Sequence, residues 1–375
     1  MARRFDLGMS INYCNNWGIP EAVREFFQNA KDEEVVNPEN KMYFDYDADE
    51  EILRIGNKSG CLTTNTLLLG QTTKADSNTT IGQFGEGYKV DTVVLLRCGK
   101  GVKIYNRSKK EIWTAKIVNS KRYQAQVAVY DIESMGIFKS VPDHDLIFEI
   151  SGITESDYEA ITDTILDLQD LVEGTDFVTS GKSRILLSEK FKGKLYVGGL
   201  YVAKSKYATL GYDFEPSLVR LDRDRGFIDN LDLQFVTGKV IAKTNDLDLI
   251  NKAKDIWDGE YIRWYLNSEL DYSAIFDDSY ESFISKYGKD AIACSTYDES
   301  VSLREKGYNA HYVNSNKCFY ITSSSKYTNA DLVKTKSNIE LASELESWFN
   351  NLDYSSEAYK TGESIIRDVL LRLRK

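Results

Sequence analysis

The chain reads as a mixed α/β protein: a two-layer α/β sandwich, then a second, smaller α/β domain, then a small C-terminal module of helices and short strands. Three patterns carry this. Residues 41–57 and 102–153 alternate apolar and polar side chains with the period of two that half-buried strands require. Residues 19–34 and 90–97 carry apolar faces at helical spacing, suited to covering such a sheet. With 375 residues, 42% apolar and 28% charged, the chain is long enough for two or three cores and unlike a disordered segment. The expected divisions are 1–152, 153–245 and 246–375.

In chain order, residues 1–18 read as a cap or first strand leading into a helix over 19–34, where Pro20 suits the first turn. KMYFDYD and EILRIGN form a hairpin turning at Ala48 to Glu50. VDTVVLLR continues as helix, and VKIYN, EIWTAKIV, YQAQVAVYDI and DLIFEISGI supply four more strands. Residues 154–172 predict one helix, opened by a variant capping box of Thr154 and Asp157. SRILL, GKLYVGGLYVA and LGYDFEPSLVRLDRDRGFID give two or three strands and an arginine-dense loop. Residues 279–313 read helix, strand, helix, strand, with Gly288 and Gly307 ending the helices, and 338–349 and 356–374 read as helical.

Composition excludes several kinds of chemistry. No apolar run approaches the length of a membrane helix and no leader pattern opens the chain, so cytoplasm is the expected compartment. Five scattered cysteines with no Cys-x-x-Cys pair, and two histidines, His144 and His311, give neither a zinc site nor a Ser-His-Asp or Cys-His arrangement. The chemistry must rest on carboxylates, amides and backbone. Net charge is −11, yet 97–122 holds nine Lys/Arg against Glu111 alone, while 143–176 has none. Such polarity is compatible with a nucleic-acid face or with ordinary solvated surface.

Two stretches stand apart. In EAVREFFQNAKDEE, residues 21–34, Glu25, Asn29 and Asp32 fall at i, i+4 and i+7 and so share one stripe, while Ala22, Val23, Phe26, Phe27 and Ala30 form the apolar face. In IGQFGEGYK, residues 81–89, glycines 82, 85 and 87 can take positive φ and bring bare amides close to an anion, phosphate above all.

Together the two stretches resemble the GHKL ATPase superfamily, which includes the gyrase B subunit, MutL, MORC proteins, the ninety-kilodalton heat-shock chaperone and sensor histidine kinases. The family's Glu-x-x-x-Asn-x-x-Asp pattern is matched by Glu25, Asn29 and Asp32, and its Gly-x-Phe-Gly-x-Gly-x-Lys pattern by Gly82, Phe84, Gly85, Gly87 and Lys89. Between them LLLGQTTKADSNTT resembles the lid entry of MORC and chaperone members, with Lys74 at the place of a lid lysine. The resemblance implies an ATP-binding sandwich followed by a transducer domain. It implies Glu25 as general base toward water, Asn29 as magnesium ligand, and Asp32 as a residue that supports the site from behind or through a water near the nucleotide. The glycines, Lys74 and Lys89 would hold phosphate. It also implies a phosphate-sensing cation from the transducer; among Lys204, Arg220, Arg223 and Arg225, the pair Arg223 and Arg225 forms the better fork.

One departure concerns the family's Asp-x-Gly-x-Gly box, which reads here Gly56-Asn57-Lys58-Ser59-Gly60. Gly56 cannot accept a bond from the adenine amine, whereas the Asn57 amide oxygen can. The implied activity is a slow Mg2+-dependent ATPase that uses ATP-driven closure as a switch, with a homodimer formed on ATP binding as an implied partner state. Its rivals are a non-hydrolysing nucleotide-binding scaffold, a DNA-associated clamp or, last, a histidine kinase. A DNA partner predicts salt-dependent retention on DNA, and a protein client predicts suppression of aggregation.

Overall fold

Alternating side chains become a seven-stranded sheet with one face dry. In the computed structural model, which describes residues 3–64, 87–134, 144–219, 230–327, 338–350 and 357–373, the chain divides into two compact units, Met1–Asn267 and Ser268–Lys375. The first unit opens with β1 (Arg3–Ser10), α1 (Ile19–Val36), β2 (Met42–Asp47), β3 (Ile52–Asn57), α2 (Gly87–Arg97), β4 (Gly101–Asn106), β5 (Glu111–Ser120), β6 (Ala125–Ser134), β7 (Leu146–Ser151) and α3 (Glu155–Thr164). Its strands pair antiparallel throughout, in the order β1-β6-β5-β4-β7-β3-β2. Leu53 and Ile55, Val102 and Ile104, Trp113 and Ala115, and Phe148 and Ile150 all turn to one side. There they meet Val23, Phe26 and Ala30 of α1, Val93 and Val94 of α2, and Ile161 of α3. Helices on one face of an antiparallel sheet are the sandwich expected from the sequence.

The opposite face is wet and charged. Arg4 and Lys116 both bond Asp131, at 2.7 and 3.0 Å, and Arg54 bonds Glu149 at 3.0 Å. Of the basic run over 97–122, Lys116 meets Asp131 of the neighbouring strand at this surface, and Lys100 bonds Asp157 of α3 at 2.6 Å. At the end of α2, Arg97 donates to the carbonyls of Ile11, Tyr13, Cys14 and Trp17 at 2.8 to 3.0 Å, folding the segment before α1 against the helix.

A second sheet follows within the same unit. Strands β8 (Phe177–Ser180), β9 (Ser183–Leu186), β10 (Lys194–Val197), β11 (Leu200–Lys204) and β12 (Gly211–Phe214) run in the order β11-β10-β12-β9-β8, with only β10 and β12 parallel. The helix expected over 154–172 stops early. The capping box forms, with Asp157 N–H donating to Thr154 and Thr154 N–H to Asp157, but α3 ends at Thr164. Thr162 and Thr164 turn their hydroxyls onto Glu159 and Ile161 carbonyls, Ile165 bridges Leu200, and Leu166 N–H bonds Gly199 at 2.8 Å. Local β-branched residues and a strand partner outcompete propagation.

Helices α4 (Asn230–Ala242) and α5 (Leu247–Ala253), with short turns at Trp257–Gly259 and Ile262–Tyr265, close the first unit. The sequence shows no clear apolar stripe in α4, because Asn230, Asp232, Gln234, Thr237 and Lys239 are interspersed with its apolar residues. Stretch 246–267, read from sequence as part of the C-terminal module, is tied to the second sheet through Asp258.

The second unit contains α6 (Ser273–Tyr287), β13 (Ile292–Cys294), α7 (Tyr297–Glu305), β14 (Ala310–Tyr312), α8 (Ser315–Thr322), α9 (Asn338–Asn350) and α10 (Glu357–Leu373). Parallel pairing of β13 with β14 across α7 makes the small βαβ unit that was expected. Gly288 and Gly307, at φ of 98° and 86°, end α6 and α7 as predicted.

Candidate functional site

Helix α1 starts at Gly18, whose N–H donates to Glu21 at 2.8 Å, and Pro20 sits in the first turn where its missing N–H has no partner to lose. From there Ala22, Val23, Phe26, Phe27 and Ala30 enter the core, at most 4% exposed. The two carboxylates of the polar stripe are buried as well, with Asn29 half-buried between them. Glu25 is 6% and Asp32 2% exposed, which a solvated surface stripe would not be.

Each stripe residue has a defined neighbour. The Glu25 carboxylate pairs with the Arg24 guanidinium at 3.5 Å. Asn29 turns its amide nitrogen back onto the Glu25 carbonyl at 3.0 Å, which sends its amide oxygen away from the helix backbone. Gln28 donates to Asp32 at 3.4 Å. An outward amide oxygen beside buried carboxylates fits a magnesium ion, which takes one or two protein oxygens and completes its shell with phosphate and water. Among the described residues no group of three or more His, Cys, Asp or Glu could hold a metal.

Strand β3 delivers its last residue to the same helix. Leu53, Ile55 and Asn57 alternate onto the helix-covered face, and Asn57 donates its amide hydrogens to the Ala30 carbonyl at 2.9 Å and the Asn40 carbonyl at 3.3 Å. This locks the sense of the amide. Gly56 lies on the other face, where a Cβ would stand 2.2 Å from the Leu146 carbonyl oxygen. A side chain at 56 is therefore excluded by the backbone of β7, and position 57 is the one that can address a ligand beside α1. Beyond β3, Asn106 and Ser108 hold the carbonyls of Leu62 and Gly60 at 2.6 and 3.2 Å.

Helix α2 begins at Gly87 and packs along α1. Lys89 is buried, with its Nζ 3.4 Å from the Leu7 carbonyl of β1. Tyr88 stands at the acidic side of the α1 stripe: burial pushes its phenol up, and Asp91, Glu33 and Asp32 add to the shift. Lys74, Gly82, Phe84, Gly85, Arg220, Arg223 and Arg225 lie outside the described residues. Lys204 ends β11, exposed and opposite Lys194 rather than beside α1.

Sequence reasoning missed a second stripe on α1. Arg24, Gln28 and Lys31 repeat the spacing of Glu25, Asn29 and Asp32 one residue earlier, a signal present in the sequence. Arg24 donates to the Tyr201 carbonyl of β11, while Lys31 bonds the Gly198 carbonyl at 2.9 Å and pairs with Asp167. One helix thus carries the candidate site residues and grips the second sheet. No family model matches the chain, and no curated protein matches it.

Proposed function

We propose that the chain is an ATP-binding protein of the GHKL type, working as a slow magnesium-dependent ATPase. The observation that carries this reading is the stripe of Glu25, Asn29 and Asp32 on α1, with both carboxylates buried, set beside Asn57 at the end of β3. The glycine stretch that precedes α2 in sequence is the expected phosphate-facing loop.

In this reading Glu25 orients the attacking water and takes its proton, a role for a carboxylate one water away from the terminal phosphate. Asn29 holds magnesium through its amide oxygen, and the ion neutralises phosphate charge when bound. Asn57 accepts from the base amine; its locked amide offers oxygen and not N–H, which keeps adenine acceptable and disfavours a carbonyl at that position of the base. ATP binding would then close the lid and bring two copies together around a protein client or DNA. A non-hydrolysing binder is the second reading, favoured by the Arg24–Glu25 ion pair, which engages the carboxylate that would otherwise orient water.

Turnover and nucleotide binding measured together test both. The ATPase reading expects Glu25→Ala to bind nucleotide with turnover reduced by about 10²- to 10⁴-fold, and Asn29→Ala to lose magnesium-dependent binding. If wild type and Glu25→Ala bind equally and neither turns over, the second reading holds. Absence of nucleotide binding by the wild type overturns both.

A further inference from the structure

The turn between β10 and β11 is made by Gly198 and Gly199, both at positive φ. A Cβ on Gly199 would lie 3.2 Å from Lys31 Nζ and from Asp167 Oδ1, so the bare turn lets α1 and the second sheet approach. Beside it the two leave a cleft of about 390 Å³, lined among others by Lys31, Asp32, Asp167, Lys182, Arg184 and Asp213. Three cations and three carboxylates share one small space.

The charges are layered by depth. Asp213 is 4% exposed and its oxygens are taken by Gly199 N–H at 2.7 Å and by Arg184 at 2.8 Å. Asp32, 2% exposed, faces the cleft from α1. Lys31 and Arg184 form the wall; Arg184 also reaches Asp167 at 3.6 Å. Lys182, with 78% of its side chain exposed, stands at the mouth, 3.7 Å from Glu215. A simple anion entering here meets the buried charge of Asp32, and a simple cation meets Arg184 and Lys182. A molecule with both charges, ammonium inward and carboxylate outward, meets complementary groups at each end.

The geometry points to this cleft as a binding site for a small zwitterion of the amino-acid class, bridging α1 and the second sheet. The space corresponds to about a dozen non-hydrogen atoms, taking a water's share of liquid volume as the measure. Such a ligand joins α1 to the β8–β9 and β10–β11 turns and takes Asp32, the last residue of the stripe, but neither Glu25 nor Asn29.

Titration calorimetry on the full chain at low salt tests it, with 6-aminohexanoate and L-glutamine as probes and hexanoate and hexylamine as singly charged controls. At least one zwitterion is expected to bind below about 10 mM, with both controls at least about tenfold weaker. Lys182→Ala, at an exposed position, is expected to weaken that binding by about three- to tenfold. Val35→Trp, from a helix position 50% exposed at the rim, is expected to block it. Silence of both zwitterions, equal binding by the controls, or binding untouched by both substitutions overturns the assignment.

Discussion

Glu25 on α1 and Asp258 in the turn after α5 are both buried carboxylates of the first unit, and they are held in opposite ways. Asp258, 0% exposed, receives Thr209 N–H, Thr209 hydroxyl, Leu210 N–H and Tyr212 hydroxyl at 2.7 to 3.2 Å. Its lone pairs are filled by neutral donors of the fold, and its own carbonyl takes the Thr237 hydroxyl at 2.9 Å. Glu25 stands against a guanidinium at 3.5 Å that is shared with the Tyr201 carbonyl. The saturated carboxylate is a brace, because its removal strands donors of Thr209, Leu210 and Tyr212. The Glu25 contact is longer, and its partner is a charged side chain of the same helix. Burial alone does not separate the two carboxylates; the kind of partner each one holds does.

The sharpest way to break this contrast is to remove each carboxylate and read both stability and turnover. Glu25→Ala is expected to lower ATP turnover by about 10²- to 10⁴-fold while moving the denaturation midpoint little. Asp258→Ala leaves four donors facing a void and is expected to cost about 3 kcal/mol or more in urea unfolding. If Glu25→Ala proved the more destabilising of the two, the division between brace and reactive acid would fail.

A smaller effect is expected at Gly56, where the sequence was only partly legible. The period-two alternation and the helical spacing of α1 disclosed the sandwich, the site stripe and the βαβ unit, because each depends on which side chains share a face. The glycine box at 56–60 was harder. By matching the family pattern, Gly56 stands in the aspartate's place, yet Leu53, Ile55 and Asn57 face the helices and Gly56 faces away. Only the pleat, fixed by pairing Gly56 with Tyr43 and Ile147, settles that. The early end of α3 and the attachment of 246–267 were illegible for a related reason: both are decided by partners far along the chain, Leu200 for Ile165 and Thr209 for Asp258. Gly56→Ala is expected to destabilise by about 1 to 3 kcal/mol through contact with the Leu146 carbonyl. Restoring a carboxylate there should not strengthen nucleotide binding. A Gly56→Asp variant that folds and binds ATP more tightly would return position 56 to the site.

Asp131 supplies the mildest test, a carboxylate as well filled as Asp258 but at the wet face of the sheet. Hydrogen bonds from Arg4 and then Lys116 hold it down from the ordinary 3.8 to about 2. A depressed folded value means that the stabilisation is present above the unfolded pKa near 4 and lost as pH falls through about 2. Arg4 and Lys116 leave 57% and 54% of their side chains in solvent, so screening keeps the contribution under about 1 kcal/mol. Wild type is expected to lose a little stability between pH 4 and 2 that Asp131→Asn does not lose, and about 1 M salt should shrink the difference. A large, salt-insensitive difference would place Asp131 with Asp258 as a brace. Filled lone pairs would then matter as much at the surface as in the core, and exposure would carry no weight in the comparison.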